Sequence, residues 1–86
     1  MYDFLNKTVI ITGASGGIGT ALAKELDRIG AHLVLADINL AGLESMASAL
    51  APGHLLVKCD ITDRADVKKL VESAVERFSK IDILIN

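Results

Sequence analysis

No apolar run in this 86-residue chain approaches the roughly 18 residues of a membrane span, because charged or polar residues interrupt every one. The expectation is a soluble protein. Cysteine is equally scarce. Cys59 alone cannot close an intrachain disulfide, and Met1 to Asn6 has neither the basic end nor the apolar run of a secretory signal, so a reducing, cytoplasmic setting is expected. Excess charge of one sign is missing too. Nine Lys and Arg against eleven Asp and Glu give a formal net charge of −2 and leave no electrostatic footprint for nucleic acid or anionic membrane. His32 and His54 are isolated, and with one cysteine no metal-ligand spacing exists, so no metal is expected. There is no heptad and no low-complexity linker, and the length leaves room for one domain at most, residues 1–86.

What is present is apolar and ordered in pattern: 51% of residues are hydrophobic and 23% charged, which excludes disorder. Two periodicities alternate. Thr8 to Ile11 is a β-branched run of the kind buried on both faces of a parallel sheet, and it ends at the cluster Gly13-Ala14-Ser15-Gly16-Gly17-Ile18-Gly19. Ile18, Ala21, Leu22, Leu26 and Ile29 then form one helical stripe, with Gly30 placed for a left-handed C-terminal cap. His32 to Ala36 repeats the strand pattern up to Asp37. Leu40, Leu43, Met46, Ala47 and Leu50 mark a second helix, stopped by Pro52-Gly53. A third strand runs from Leu55 to Cys59, and Asp60 to Asp63 offers capping side chains for a helix with Val67, Leu70, Val71, Ala74, Val75 and Phe78 on its stripe. The last strand is Ile81 to Ile85, ahead of Asn86. Strands alternating with helices this way predict an α/β fold, β-α-β-α-β-α-β, with a parallel sheet and right-handed crossovers.

The chemistry concentrates at the glycine cluster. A helix N-terminus presents unpaired N–H groups and about half a positive charge, so a glycine turn feeding a helix can hold a pyrophosphate. Gly13 suits a tight exit from the strand, Gly17 a close approach of backbone to phosphate, and Gly19 close packing of helix on sheet. The Gly-x-x-x-Gly-x-Gly spacing fits neither the Gly-x-Gly-x-x-Gly fingerprint nor a P-loop, since no Lys follows. Asp37, eighteen residues after Gly19, ends the second strand, where a carboxylate can accept hydrogen bonds from an adenosine ribose and repel a 2′-phosphate. No basic side chain stands beside it or at Gly16, which favours NAD over NADP; the competing reading is that Asp37 caps the second helix. Asp60 has two readings as well: acceptor for an adenine amino group, with Ile61 against the ring, or cap of the third helix. Cys59 reads as a small core residue, since Lys58 faces the opposite way. Lys68, Lys69, Glu72, Glu76 and Arg77 read as a solvated helix face.

Thr12-Gly13-Ala14-Ser15-Gly16-Gly17-Ile18-Gly19 resembles the Thr-Gly-x-x-x-Gly-x-Gly motif of short-chain dehydrogenases/reductases, and Asp37, Asp60-Ile61 and Ile81 to Asn86 fall where that family has its ribose acid, its adenine-contacting Asp and the strand leading into Asn-Asn-Ala-Gly. The resemblance spans the chain. It implies half of a Rossmann-type doubly wound sheet in the order 3-2-1-4, with the cofactor across the C-terminal strand ends. It places Gly13, Ser15, Gly16 and Ile18 on the pyrophosphate side, Asp37 and Ile38 at ribose and adenine, Asp60 and Ile61 at adenine, and Asn86 as the first Asn of its motif. The family's catalytic Ser and Tyr-x-x-x-Lys have no counterpart among these residues; Tyr2 is followed four positions on by Asn6. Relative to the family the chain is therefore expected to be the cofactor-binding, C-terminally incomplete half of an oxidoreductase moving a hydride between NAD and an alcohol or carbonyl, without catalytic residues of its own. The rival expectations are a stand-alone or engineered module that binds a dinucleotide or its AMP part, and a self-assembling half-fold. The last strand, an edge carrying three isoleucines and a leucine with Asp82 its only charge, is expected to pair with a second copy in a homo-oligomer.

Overall fold

The computed structural model describes residues 3–86. Strand β1 (Thr8–Thr12) leads into helix α1 (Gly17–Arg28), β2 (His32–Asp37), α2 (Leu40–Ala47), β3 (Leu55–Lys58), α3 (Arg64–Phe78) and β4 (Ile83–Ile85). The sheet has the order β3-β2-β1-β4, and every pairing is parallel. β1 and β2 occupy its middle, which is why both read as continuous apolar runs rather than alternating ones.

Alternation along the strands divides the core. Val9, Ile11, Leu33 and Leu35 meet Ala23 and Leu26 of α1 and Leu43 and Met46 of α2 on one face. Ile10, Val34 and Ala36 meet Cys59 and Leu70 and Ala74 of α3 on the other. Two helices therefore cover one face and a single helix the other. Ile83 and Ile85 pack toward the two-helix face, whereas Leu84 is 61% exposed. A groove of about 290 Å³ runs between β1, β4 and α3, lined by Ile10, Leu70, Val71, Ile81 and Leu84 among others.

Three elements are shorter than the sequence expectation, each for a local reason. α2 ends at Ala47, and its apolar stripe continues to Leu50 through tighter turns in which Ala49 N bonds Met46 O and Leu50 N bonds Ala47 O. β3 ends one residue early, although Cys59 N still bonds Asp37 O. β4 starts at Ile83 rather than Ile81. Asp82 N donates to Thr8 O, but the return bond from Thr8 N goes to the Asp82 carboxylate at 2.8 Å, so a side chain takes the place of a ladder carbonyl there.

Gly30 does take the left-handed conformation at φ +90°, with Gly30 N bonded to Asp27 O and Ala31 N to Leu26 O, closing α1. α3 closes on Ser79 at φ 68°. Among the described residues, no helix is long and apolar enough to cross a membrane.

Candidate functional site

The turn between β1 and α1 sits at the C-terminal end of β1, where the chain order of the sheet reverses direction and open α/β sheets form a crevice. Gly13 leaves the strand at φ +64°, in the left-handed region that favours glycine. Gly16 N then bonds Gly13 O at 3.1 Å, and Ala14 N ties the turn to β2 through Ala36 O. Gly19 has no alternative residue: a Cβ there would lie 2.5 Å from Gly13 O and 2.8 Å from Ala14 Cα, both backbone atoms. A Cβ on Gly17 would instead enter open space. The helix cap, Gly16, offers no side-chain acceptor, and the first intrahelical bond comes from Thr20 N to Gly16 O, so the N–H groups of Gly17, Ile18 and Gly19 have no partner within the helix. Thr20 Oγ1 bonds Ala14 O and braces the same turn. Ile18 is 82% exposed at its mouth.

Asp37 ends β2 beside this turn. Its Oδ2 accepts from Ser15 N at 3.1 Å and Ser15 Oγ at 2.6 Å, and its Oδ1 from Asn39 N at 3.0 Å. The Ser15 hydroxyl, followed by the Asn39 N–H, holds the Asp37 carboxyl below the usual aspartate value, so it is ionised at neutral pH. Capping of α2 falls to Asn39, whose Oδ1 accepts from Gly42 N; Asp37 does not cap the helix. Sequence reasoning passed over Asn39, though an Asn at the border of an apolar stripe is a cap signal.

The same outcome holds at β3. Asp63 caps α3, accepting from Ala65 N and Asp66 N, while Asp60 Oδ1 accepts from Thr62 N and Thr62 Oγ1 within its own loop. The Thr62 hydroxyl is the main influence lowering the Asp60 carboxyl. Cys59 is buried, and burial together with Asp66, Asp60 and Asp63 pushes its thiol up, which suits packing and disfavours a thiolate.

Gly13, Asp37, Ile38, Cys59, Asp60 and Ile61 line one cavity of about 180 Å³. Ile38 and Ile61, 61% and 56% exposed, supply apolar surface between two carboxylates. Loop and strand ends far apart in sequence thus converge on an arrangement suited to a flat ring and hydroxyl donors, next to the free N–H groups of α1. Asn86 is not part of this cavity. Its Oδ1 accepts from Thr12 Oγ1 at 2.5 Å, and both residues line the apolar groove beside β4. Thr12 as the anchor of Asn86 was not visible in sequence, because the bond joins residues 74 apart. Among the described residues, no group of three His, Cys, Asp or Glu is placed to hold a metal.

The chain aligns with galactitol 2-dehydrogenase of Agrobacterium fabrum at 41% identity, over 94% of this chain and 32% of that protein. Sorbitol dehydrogenase of Cereibacter sphaeroides is 39% identical over 93% of this chain and 31% of its own length. Among solved structures, the 3-ketoacyl-(acyl-carrier-protein) reductase of Brucella melitensis complexed with NADH superposes with a TM-score of 0.89 at 40% identity, covering 94% of this chain and 34% of that one. A short chain dehydrogenase/reductase of Burkholderia phymatum in complex with NAD gives 0.90 at 36%, covering 98% and 31%. The chain thus spans about a third of the length of these relatives. The short chain dehydrogenase profile matches residues 7–86, and the chain belongs to that family.

Proposed function

We propose that residues 1–86 form one dinucleotide-binding unit of an oxidoreductase that moves a hydride between NAD and an alcohol or carbonyl. The observation that carries this reading is the pairing of an uncapped, glycine-fed N-terminus of α1 with an ionised Asp37 beside it. In it the N–H groups of Gly17, Ile18 and Gly19, with Gly13, Ser15 and Gly16 around them, bind the pyrophosphate. Asp37 and Ile38 take the adenosine ribose, and Asp60 and Ile61 flank the adenine. The neighbours solved with NADH and with NAD support the cofactor class. Hydride acceptance and donation are the cofactor's chemistry; these residues bind and orient it, and Asn86, held by Thr12, borders the groove beside β4.

NAD is preferred over NADP, because Asp37 carries negative charge where a 2′-phosphate would lie. The buried, unpaired Cys59 supports a reducing, cytoplasmic setting. Titration calorimetry with NAD(H) and NADP(H) tests the assignment: the wild-type chain should favour NAD(H), and Asp37→Ala should lose that preference. Equal affinities in the wild type, or a preference that survives Asp37→Ala, would remove Asp37 from the ribose.

A further inference from the structure

The turn between β1 and α1 contains one peptide that is held at both ends. The C=O of Ala14 and the N–H of Ser15 belong to the same planar unit and, in a trans peptide, point in opposite directions. The carbonyl accepts from Thr20 Oγ1 at 3.0 Å, and the N–H donates to Asp37 Oδ2 at 3.1 Å. A single peptide thus links the first turn of α1 to the end of β2. Turning it over would break both bonds together.

The peptides on either side are committed in the same inward sense. Ala14 N bonds Ala36 O and Gly16 N bonds Gly13 O, so three successive N–H groups of the turn are directed onto the protein before the free N–H groups of α1 begin. Ala14 is completely inaccessible, and the Thr20 hydroxyl is the only donor on its carbonyl among the described residues. A buried carbonyl stripped of its donor carries the full cost of its lost water, so the orientation of this peptide depends on Thr20. The close approach of α1 brings that hydroxyl within reach: Gly19 sits where a Cβ would lie 2.8 Å from Ala14 Cα, and Thr20 is the next residue.

We propose that Thr20 is a positioning residue for the cofactor site: its hydroxyl fixes the Ala14–Ser15 peptide so that the Ser15 N–H anchors Asp37, and it thereby sets where that carboxylate stands beside the cavity. The proposal rests on the dinucleotide reading above and adds to it a residue outside the cavity lining, which includes Gly13, Asp37 and Ile61 but not Thr20. Thr20 acts through backbone alone. Without its hydroxyl the peptide gains by turning its carbonyl toward another donor, and this withdraws the Ser15 N–H from Asp37. The carboxylate is then left to the Ser15 hydroxyl and the Asn39 N–H, both on one side of the lost anchor in the chain of contacts from turn to α2. Less firmly held, it meets a ligand in more than one orientation, and binding weakens.

Thr20→Val removes the hydroxyl and keeps the β-branch and nearly the volume. On the ligand-free chain, NMR across an acid titration should show the wild-type Ser15 amide proton shifting with the ionisation of Asp37, because it is bonded to that carboxylate. The response should be largely lost in Thr20→Val and should return in Thr20→Ser, which restores a hydroxyl. NAD affinity, by titration calorimetry, should fall by roughly fivefold in Thr20→Val, the worth of about one hydrogen bond, and recover in Thr20→Ser. Thr20→Ala should repeat the valine results if the valine chain folds poorly. A hydroxyl that only stabilises the helix start would lower the melting temperature and move neither reading. A Ser15 amide that still follows Asp37 in the folded variants, an unchanged NAD affinity, or no recovery with serine overturns the proposal while leaving wild-type dinucleotide binding in place. Absence of NAD binding by wild type removes the dinucleotide reading itself, and the positioning role with it.

Discussion

Thr8 is the one buried side chain whose oxygen lacks a partner among the described residues, and it stands at the start of β1, completely inaccessible. Its backbone is well served, with N–H on the Asp82 carboxylate and C=O on Asp82 N. The hydroxyl gains nothing from this and has lost its water. Thr8→Val keeps the shape and the β-branch, so it should raise stability by about 1 kcal/mol, seen as a higher urea midpoint with unchanged slope. A lower midpoint would mean that the hydroxyl has a partner after all. Residue-scale facts of this kind were the least legible in the sequence. Composition marks Thr8 as a strand former, but whether its oxygen finds a donor depends on elements 74 positions away, as does the Thr12 bond to Asn86. The glycines were more legible, because a positive φ at Gly13 and a backbone contact at Gly19 both follow from a turn that must join a central strand to a helix lying against it.

The elements themselves were legible where periodicity was long and caps were local. α1 and α3 lie where their stripes put them, and Asp63 and Gly30 mark ends that the sequence already marked. What sequence left open was whether Asp37 and Asp60 cap the helices that follow them or stay available to a ligand, and it did not weigh Asn39 at all. Geometry alone assigns the cap in each case and leaves the strand-end carboxylate for the cavity. A further tie between elements had no local signal. Asp27, at the end of α1, accepts from Ala51 N at 3.1 Å and meets His54 Nε2 at 2.6 Å, while Leu33 N donates to His54 Nδ1. With Nδ1 accepting, Nε2 carries the hydrogen and donates it to Asp27. The histidine thereby extends the β2 edge just before β3 begins and clamps it to α1. This bond, chiefly, sets the Asp27 carboxyl below its unfolded value. A carboxyl depressed in the folded state contributes stability that is complete above the unfolded value, near pH 4, and is lost as pH falls through the folded one. Urea midpoints measured from neutral to strongly acid pH should therefore fall less steeply below about pH 4 in Asp27→Asn than in wild type. Parallel curves would show that the clamp is electrostatically idle.

At the scale of the whole molecule the sheet is covered unequally, and the consequence concerns association. α1 and α2 shield one face, but on the other α3 leaves Val67, Val71, Ile61 and Leu84 between 37% and 61% exposed around the groove beside β4. β4 is also an edge, three residues long with one neighbour, and an unprotected edge invites pairing. We propose that the 86-residue chain self-associates through β4, because burying the groove against a second copy would relieve both exposures at once. The structure also chooses the residue that tests it. Ile83 and Ile85, which look equivalent to Leu84 in the sequence, pack toward the two-helix core, so a charge at either would damage folding before it reported on assembly. Leu84 faces outward. Light scattering coupled to size exclusion over a dilution series should therefore find a species heavier than the 9.1 kDa chain, and Leu84→Lys should return it to that mass without lowering the melting temperature. A sharply melting wild-type monomer at high concentration would show that the edge is protected as it stands; the short β4, bounded by the Asp82 carboxylate at one end and the Thr12–Asn86 bond at the other, would then be the protecting device.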